Sequence, residues 1–437
     1  MKKYLIKDNY IFLKFDDSKE MYDYLYDLLK EDYVINDSFN LSIELKKENE
    51  YILLSFLDVL PSINIKDDIK ALYKKEELMY PDYSDTQLGI ISGFRNNFGY
   101  DYKYPIIDGI FDKKYKKMII LILDGFGTNA LFNDLDENSF FRKNYVKSIH
   151  SIYPSTTAAS TTSMKTGLSP YVTGWTGWEN YFKEIDENII LFTGKKFVND
   201  EQTGITGYSQ IPYKPFFSDM NDVKGYLVEP NFKNNNRTID DILNQSLEYN
   251  KRDEAQVQYV YYDEPDHLMH EIGPYAEKVK RMIKEFENKI EAYSKKLSND
   301  TLLIITADHG HRNVKPIHIY DIKILNDLLE RRPSNDTRSI TFKVKKGKEK
   351  EFENIFNILF KDYFLLFKTE DAIKKGFFGL KDDIKHERID DFLADYIAVA
   401  INDRYFNYKG VPDFIFASHH AGITKDEMSV PLIVIRK

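Results

Sequence analysis

Acidic and imidazole side chains recur in this sequence directly after apolar runs. Asp124 follows MIILIL, Asp266 and His270 lie just beyond VQYVYY, Asp308 and His309 follow LLIIT, and His419 and His420 follow FIFA. The chain has no cysteine, so carboxylate oxygen and imidazole nitrogen are the strong metal ligands it offers. Each piece has a plain alternative. Asp124-Gly125 is ordinary turn chemistry, Asp266 and His270 could be exposed residues one helical turn apart, and a His-His pair can be only a loop. Asp308-His309 is harder to dismiss, because two hydrophilic side chains at a buried strand end need partners. The four pieces taken together predict a metal site in which separate segments deliver ligands to one place.

A second pattern concerns hydroxyls. Residues 154–167, PSTTAASTTSMKTG, are crowded with Ser and Thr, and Gly167 followed by Pro170 marks a helix stop. A turn feeding a short helix would offer free backbone N–H groups to an anion, with a hydroxyl facing it. Most of these hydroxyls are expected to cap or to pack. Spacing alone leaves open which one would attack a phosphorus.

These groups need a scaffold that brings distant segments together. The apolar runs Met118–Leu123, Val257–Tyr262, Leu302–Thr306, Phe414–Ala417 and Pro431–Ile435 suit strands buried on both faces, alternating with helical segments. That predicts an α/β fold with a largely parallel central sheet, whose strand ends gather ligands at one edge. Residues 1–78 predict a small α/β appendage, 79–437 the catalytic domain. Within the latter, an α/β cap is expected at about 335–382, with a helix striped by Phe352, Ile355, Phe356 and Leu359. The net charge of -9 is spread through a chain that is 30% charged, which excludes a basic surface for a nucleic-acid polymer. No run is long enough to span a membrane, and Lys, Asp and Asn interrupt the apolar start, so a cytoplasmic protein is expected. The abundance of Lys, Asn, Ile and Tyr fits an AT-rich bacterial genome.

At these residues the chain resembles the alkaline phosphatase superfamily, and within it the type I phosphodiesterase/nucleotide pyrophosphatase family. LILDGFG, YPSTTAASTTSMKTGLSP, EPDHLMHEIGP, TADHGH and HHAGITKDEM are similar to that family's motifs and stand in its order. The resemblance implies an alkaline-phosphatase-like α/β/α sandwich. It selects Thr157 as nucleophile, three residues after Pro154 and nine before Thr166, and His420 over His419. It further implies two divalent ions, zinc or else manganese, with Asp124, Thr157, Asp308 and His309 holding one and Asp266, His270 and His420 the other. The implied reaction is hydrolysis of a small phosphate ester through a phosphothreonine intermediate.

The chain departs from the family just after the nucleophile. Ala158 stands where an aromatic residue stacks a base, and Ser160 where an Asn binds a phosphoryl oxygen. Ser160 is therefore expected to donate to substrate, and Trp175, Trp178, Tyr181 and Phe182 are candidates for a replacement stacking surface. Hydrolysis of a phosphonate carbon–phosphorus bond is the alternative activity, and a silent phosphate-ligand sensor the alternative of another class.

Overall fold

The computed structural model describes residues 1–7, 9–230, 238–409 and 415–437. Among them, six strands form the central sheet, in the order Lys224–Val228, Gln256–Tyr262, Lys117–Leu123, Thr301–Thr306, Ser429–Arg436, Tyr145–His150. The first four are mutually parallel, and Ser429–Arg436 runs antiparallel to both of its neighbours. Lys117–Leu123 and Thr301–Thr306 are buried along their whole length, as continuous apolar runs covered on both faces must be. Register then does the positioning. Leu123 pairs with Tyr262 and Ile122 with Thr306, so Asp124, Asp266 and Asp308 all emerge at one edge.

A second sheet is antiparallel, in the order Phe364–Lys368, Tyr396–Ala400, Ser339–Phe342, Ser334–Asp336, Glu179–Phe182, Glu187–Ile190. It draws strands from 179–190 and 396–400 as well as from the segment 335–382. The helix Glu349–Phe360 packs on it through Phe352 and Phe356. The N-terminal unit is a five-stranded sheet carrying the helix Ser18–Lys30, capped by Asp17, whose carboxylate accepts from the Glu20 amide at 2.8 Å. Its apolar face is continuous with the core of the second sheet, Leu13, Leu25 and Leu54 clustering with Phe342, Phe356 and Phe406. The connecting segment is fastened too: Met79 donates its amide to Ile423 at 2.9 Å, and Lys425 donates its own to Glu77 at 2.8 Å.

One strand expectation is corrected. Phe414 lies outside the described residues, and Ile415–Ala417 form no strand. The run is apolar for another reason: the Phe416 ring packs on His270 and His419, with centroids 4.9 and 4.5 Å away. Among the described residues, no helix is long and apolar enough to cross a membrane.

The loop that carries His420 is anchored by a fully buried ion pair. Arg338 reaches Glu427 with Nε to Oε1 at 2.6 Å and a second nitrogen to Oε2 at 2.7 Å, and Glu427 also accepts the Gly422 amide at 2.7 Å. Removing the cation leaves a buried carboxylate without its countercharge. Arg338→Leu is therefore expected to cost about 3–5 kcal/mol, read from urea unfolding; a cost under about 1 kcal/mol would show that the pair does not hold this loop.

Candidate active site

Thr157 opens the helix Thr157–Thr166, which ends at Gly167 in the left-handed region (φ 72°) that glycine adopts without strain. The three hydroxyls at its start diverge. Ser155 donates to the Gly422 carbonyl at 2.9 Å and Thr156 to Asp336 at 2.9 Å, both fully buried. Thr157 is partly exposed and faces the acidic edge, its Oγ1 at 3.5 Å from Asp124 Oδ2 and 3.3 Å from His309 Nε2. Because the Thr156 side chain is turned to Asp336, it does not cap the helix, and the first amides stay unclaimed by a cap.

The imidazoles are held in a common tautomer. His309 Nδ1 donates to the Gly310 carbonyl at 3.2 Å, His270 Nδ1 to the Ser418 carbonyl at 2.9 Å, and His420 Nδ1 to the Ser155 carbonyl at 3.0 Å. A carbonyl only accepts, so each Nδ1 carries the hydrogen and each Nε2 presents a lone pair. Those lone pairs face carboxylates. His309 Nε2 lies 3.4 Å from Asp124 Oδ1 and 3.4 Å from Asp308 Oδ2, two buried oxygens without a hydrogen-bond partner. Lone pairs aimed at one another across a dry gap repel, unless a cation lies between them. The spacing agrees, since ligands about 2.0–2.1 Å from a tetrahedral zinc stand about 3.3 Å apart.

Two ligand groups result. Asp124, Asp308 and His309 form one, with Thr157 beside it, and Asp266, His270, His311 and His420 the other; within each, the donor atoms lie within 4.8 Å of one another. In the second group, His270 and His420 place Nε2 at 3.4 and 3.6 Å from Asp266 Oδ1. Both groups fit divalent cations in charge and donor type. His311 is the member the motifs did not supply. The signal was present in TADHGH, where a third potential ligand follows His309 after one glycine. Gly125 makes room for this approach, since a Cβ there would lie 2.9 Å from the His311 ring. His419 is turned away, its Nδ1 accepting the His420 amide at 2.9 Å and its Nε2 near the Thr337 hydroxyl at 3.1 Å.

Ser160 does not stand where the sequence placed it. Its hydroxyl is fully buried, donates to the Ile152 carbonyl at 3.3 Å, and does not line the cavity beside Thr157. Its neighbours are Ile152 and Ser151, in the segment that leads into the helix. That cavity, about 380 Å³, runs from Thr157, Asp266 and His270 to Trp178, Phe197, Tyr405 and Lys409. Of the four aromatic candidates only Trp178 lines it. Trp175 packs among Phe192, Tyr208 and Tyr213, Phe182 on Phe392, and Tyr181 beneath Arg331.

Electrostatics follow from burial. Burial raises the Asp124 pKa well above the carboxylate range, and the carboxyls of Asp308 and Asp266 push it further, against a hydrogen bond from Tyr261. Asp266 goes the other way, since the His270 and His311 imidazoles outweigh its burial and pull it down. Burial lowers His270 to about 4 and puts His420 well below the usual imidazole range, which keeps both neutral at pH 7.

This parallel sheet with its site at the strand ends is the alkaline-phosphatase-like α/β/α fold. The chain belongs to the type I phosphodiesterase/nucleotide pyrophosphatase family, whose model matches residues 118–424. An inactive threonine-to-alanine variant of murine ectonucleotide pyrophosphatase/phosphodiesterase 5, in complex with AMP, superposes with TM-score 0.55 at 16% identity, over 72% of this chain and 87% of that one. Phosphonoacetate hydrolase from Sinorhizobium meliloti 1021, in complex with phosphonoacetate, gives TM-score 0.57 at 14% identity, over 75% and 92%. At such identities the likeness establishes the fold. Compared sequence against sequence, no curated protein matches the chain.

The raised Asp124 pKa has a measurable sign. A carboxyl whose pKa burial has raised must lose its proton when a cation binds, so binding releases a proton and weakens as pH falls. Calorimetry in buffers of different ionisation enthalpy is expected to show proton release persisting above about pH 5, where an ordinary Asp has none left to release. No proton release anywhere above about pH 5 would contradict this account.

Proposed function

We propose that this protein hydrolyses a phosphodiester or pyrophosphate bond of a small organic phosphate, with Thr157 as nucleophile and a phosphothreonine intermediate. One observation carries the reading: of three adjacent hydroxyls, Thr157 alone faces a set of carboxylates and imidazole lone pairs, and it does so from a helix N-terminus. Asp124, Asp308 and His309, with Thr157, would hold one divalent ion, and Asp266, His270 and His420 the other. When bound, such ions lower a hydroxyl's pKa and neutralise charge on the attacking and leaving oxygens.

The residues do the rest. Thr157 Oγ1 gives up its proton to solvent and attacks phosphorus, an Oγ–P bond forms as the bond to the leaving oxygen breaks, and that oxygen takes up a proton from water, so that no net proton is consumed. Unclaimed helix amides receive a non-bridging oxygen. Trp178, Phe197 and Tyr405 face the leaving group and limit the water around it. Water then cleaves the Oγ–P bond and restores the threonine. The inactive threonine-to-alanine variant of the murine protein agrees with such a role.

Diesters are favoured over monoesters for a reason of charge. A monoester phosphoryl group carries about one more negative charge, which specialised enzymes meet with added cations. Arg312, adjacent in sequence to the ligand groups, instead reaches Glu76 at 3.1 Å and does not line the cavity. Lys409 lines it but lies 3.3 Å from Asp200.

Thr157→Ala is expected to lose several orders of magnitude in kcat while keeping its metal content, with Thr156→Ala and Ser155→Ala far less affected. If Thr156→Ala is the silent variant, the assignment fails. On one preparation, kcat/KM for nitrophenyl diesters is expected to exceed that for matched monoesters and for phosphonoacetate. A monoester preference would refute the diesterase reading, and a phosphonoacetate preference would replace it with carbon–phosphorus hydrolysis.

A further inference from the structure

His311 stands inside the second ligand group, yet its distances set it apart. Its Nε2 is 2.5 Å from Asp266 Oδ1 and its Nδ1 is 3.0 Å from Ser418 Oγ, with the ring fully buried. Ser418 Oγ gives its only hydrogen to the Met269 carbonyl at 2.6 Å, so it accepts from His311 Nδ1–H. Two ligands on one tetrahedral ion stand about 3.3 Å apart. His270 and His420, at 3.4 and 3.6 Å from Asp266 Oδ1, meet that spacing. At 2.5 Å, His311 is too close to share an ion with that oxygen, but it is placed for a short charge-assisted hydrogen bond to it.

We propose that His311 is a positioning residue: it fixes the Asp266 carboxylate as a metal ligand and is not itself a ligand. The inference rests on the metal-centre reading above. The surroundings are built for the task. Arg312 pairs with His419 and Asn313 with Ser418 across a short antiparallel bridge, which sets the height of His311 against Ser418. The Ser418 carbonyl accepts from His270 Nδ1 while its hydroxyl accepts from His311. One residue therefore orients both imidazoles that approach Asp266 from this side. Hydrogen-bond partners of metal ligands of this kind contribute about 10–100-fold to metal affinity.

The test uses the whole chain loaded with cobalt(II), followed by calorimetry and by the visible spectrum, whose intensity reports coordination number. Wild type is expected to bind two ions. His311→Leu is expected to weaken one of them about 10–100-fold while the spectrum at saturation keeps its intensity and position. His311→Gln, which retains an N–H donor, is expected to recover most of the affinity. Unchanged affinity in His311→Leu overturns the proposal, and so does a saturated spectrum that has lost a nitrogen ligand. If His311→Leu fails to fold, Ser418→Ala must weaken the same ion, and full affinity there also overturns it. Wild type binding fewer than two ions would remove the metal-centre reading together with the proposal, whereas two ions with an indifferent His311→Leu removes the proposal alone.

Discussion

Three carboxylates and a set of imidazole lone pairs are pressed into one largely buried edge of a sheet, and the rest of the structure is arranged around that crowding. The Nδ1 hydrogens of His270, His309 and His420 are each committed to a carbonyl, which leaves the opposite nitrogen of each nothing to offer but a lone pair. The carboxylates cannot relieve one another, because two of their buried oxygens have no partner. Such a cluster is costly to an isolated chain and is stabilised by positive charge. The same features that make it costly define its shape, since His270, His309 and His420 are each fixed by a bond on the far side of the ring.

The outer parts of the molecule act on this edge from behind. The second sheet supplies Arg338, which anchors the loop of His420 through Glu427, and Asp336, which draws the Thr156 hydroxyl away from the helix N-terminus. Burial raises Asp336 to about 7, so this partner of Thr156 sits near its own titration at neutral pH. The N-terminal unit reaches the site indirectly. Its connecting segment lies along 423–425 and presents Glu76 to Arg312, so the guanidinium next to the Asp308–His311 segment is already engaged.

What the sequence revealed follows from how local each signal is. Lys117–Leu123, Gln256–Tyr262 and Thr301–Thr306 are buried on both faces and announce themselves as unbroken apolar runs. Tyr145–His150 is an edge strand of mixed burial and gave no such run. Ile415–Ala417 misled because an aromatic residue that supports imidazoles looks the same in one dimension as one that fills a sheet. Asp124, Asp266 and Asp308 were legible because strand ends are. Ser160 turns to the Ile152 carbonyl, a contact with the segment before the helix that motif spacing does not reveal. His311 escaped because its partner, Asp266, is 45 residues away in sequence.

The strand Ser429–Arg436 lies between Thr301–Thr306 and Tyr145–His150, so a segment near the end of the sequence fills a gap inside the central sheet. During synthesis, both flanking strands leave the ribosome long before the one that separates them. Until it arrives they expose unpaired backbone edges, and closing so long a loop is intrinsically slow. His420 belongs to the same late segment. A nascent chain therefore brings His420 to the other candidate ligands only as the sheet closes, which couples the assembly of that cluster to the burial of two exposed strand edges.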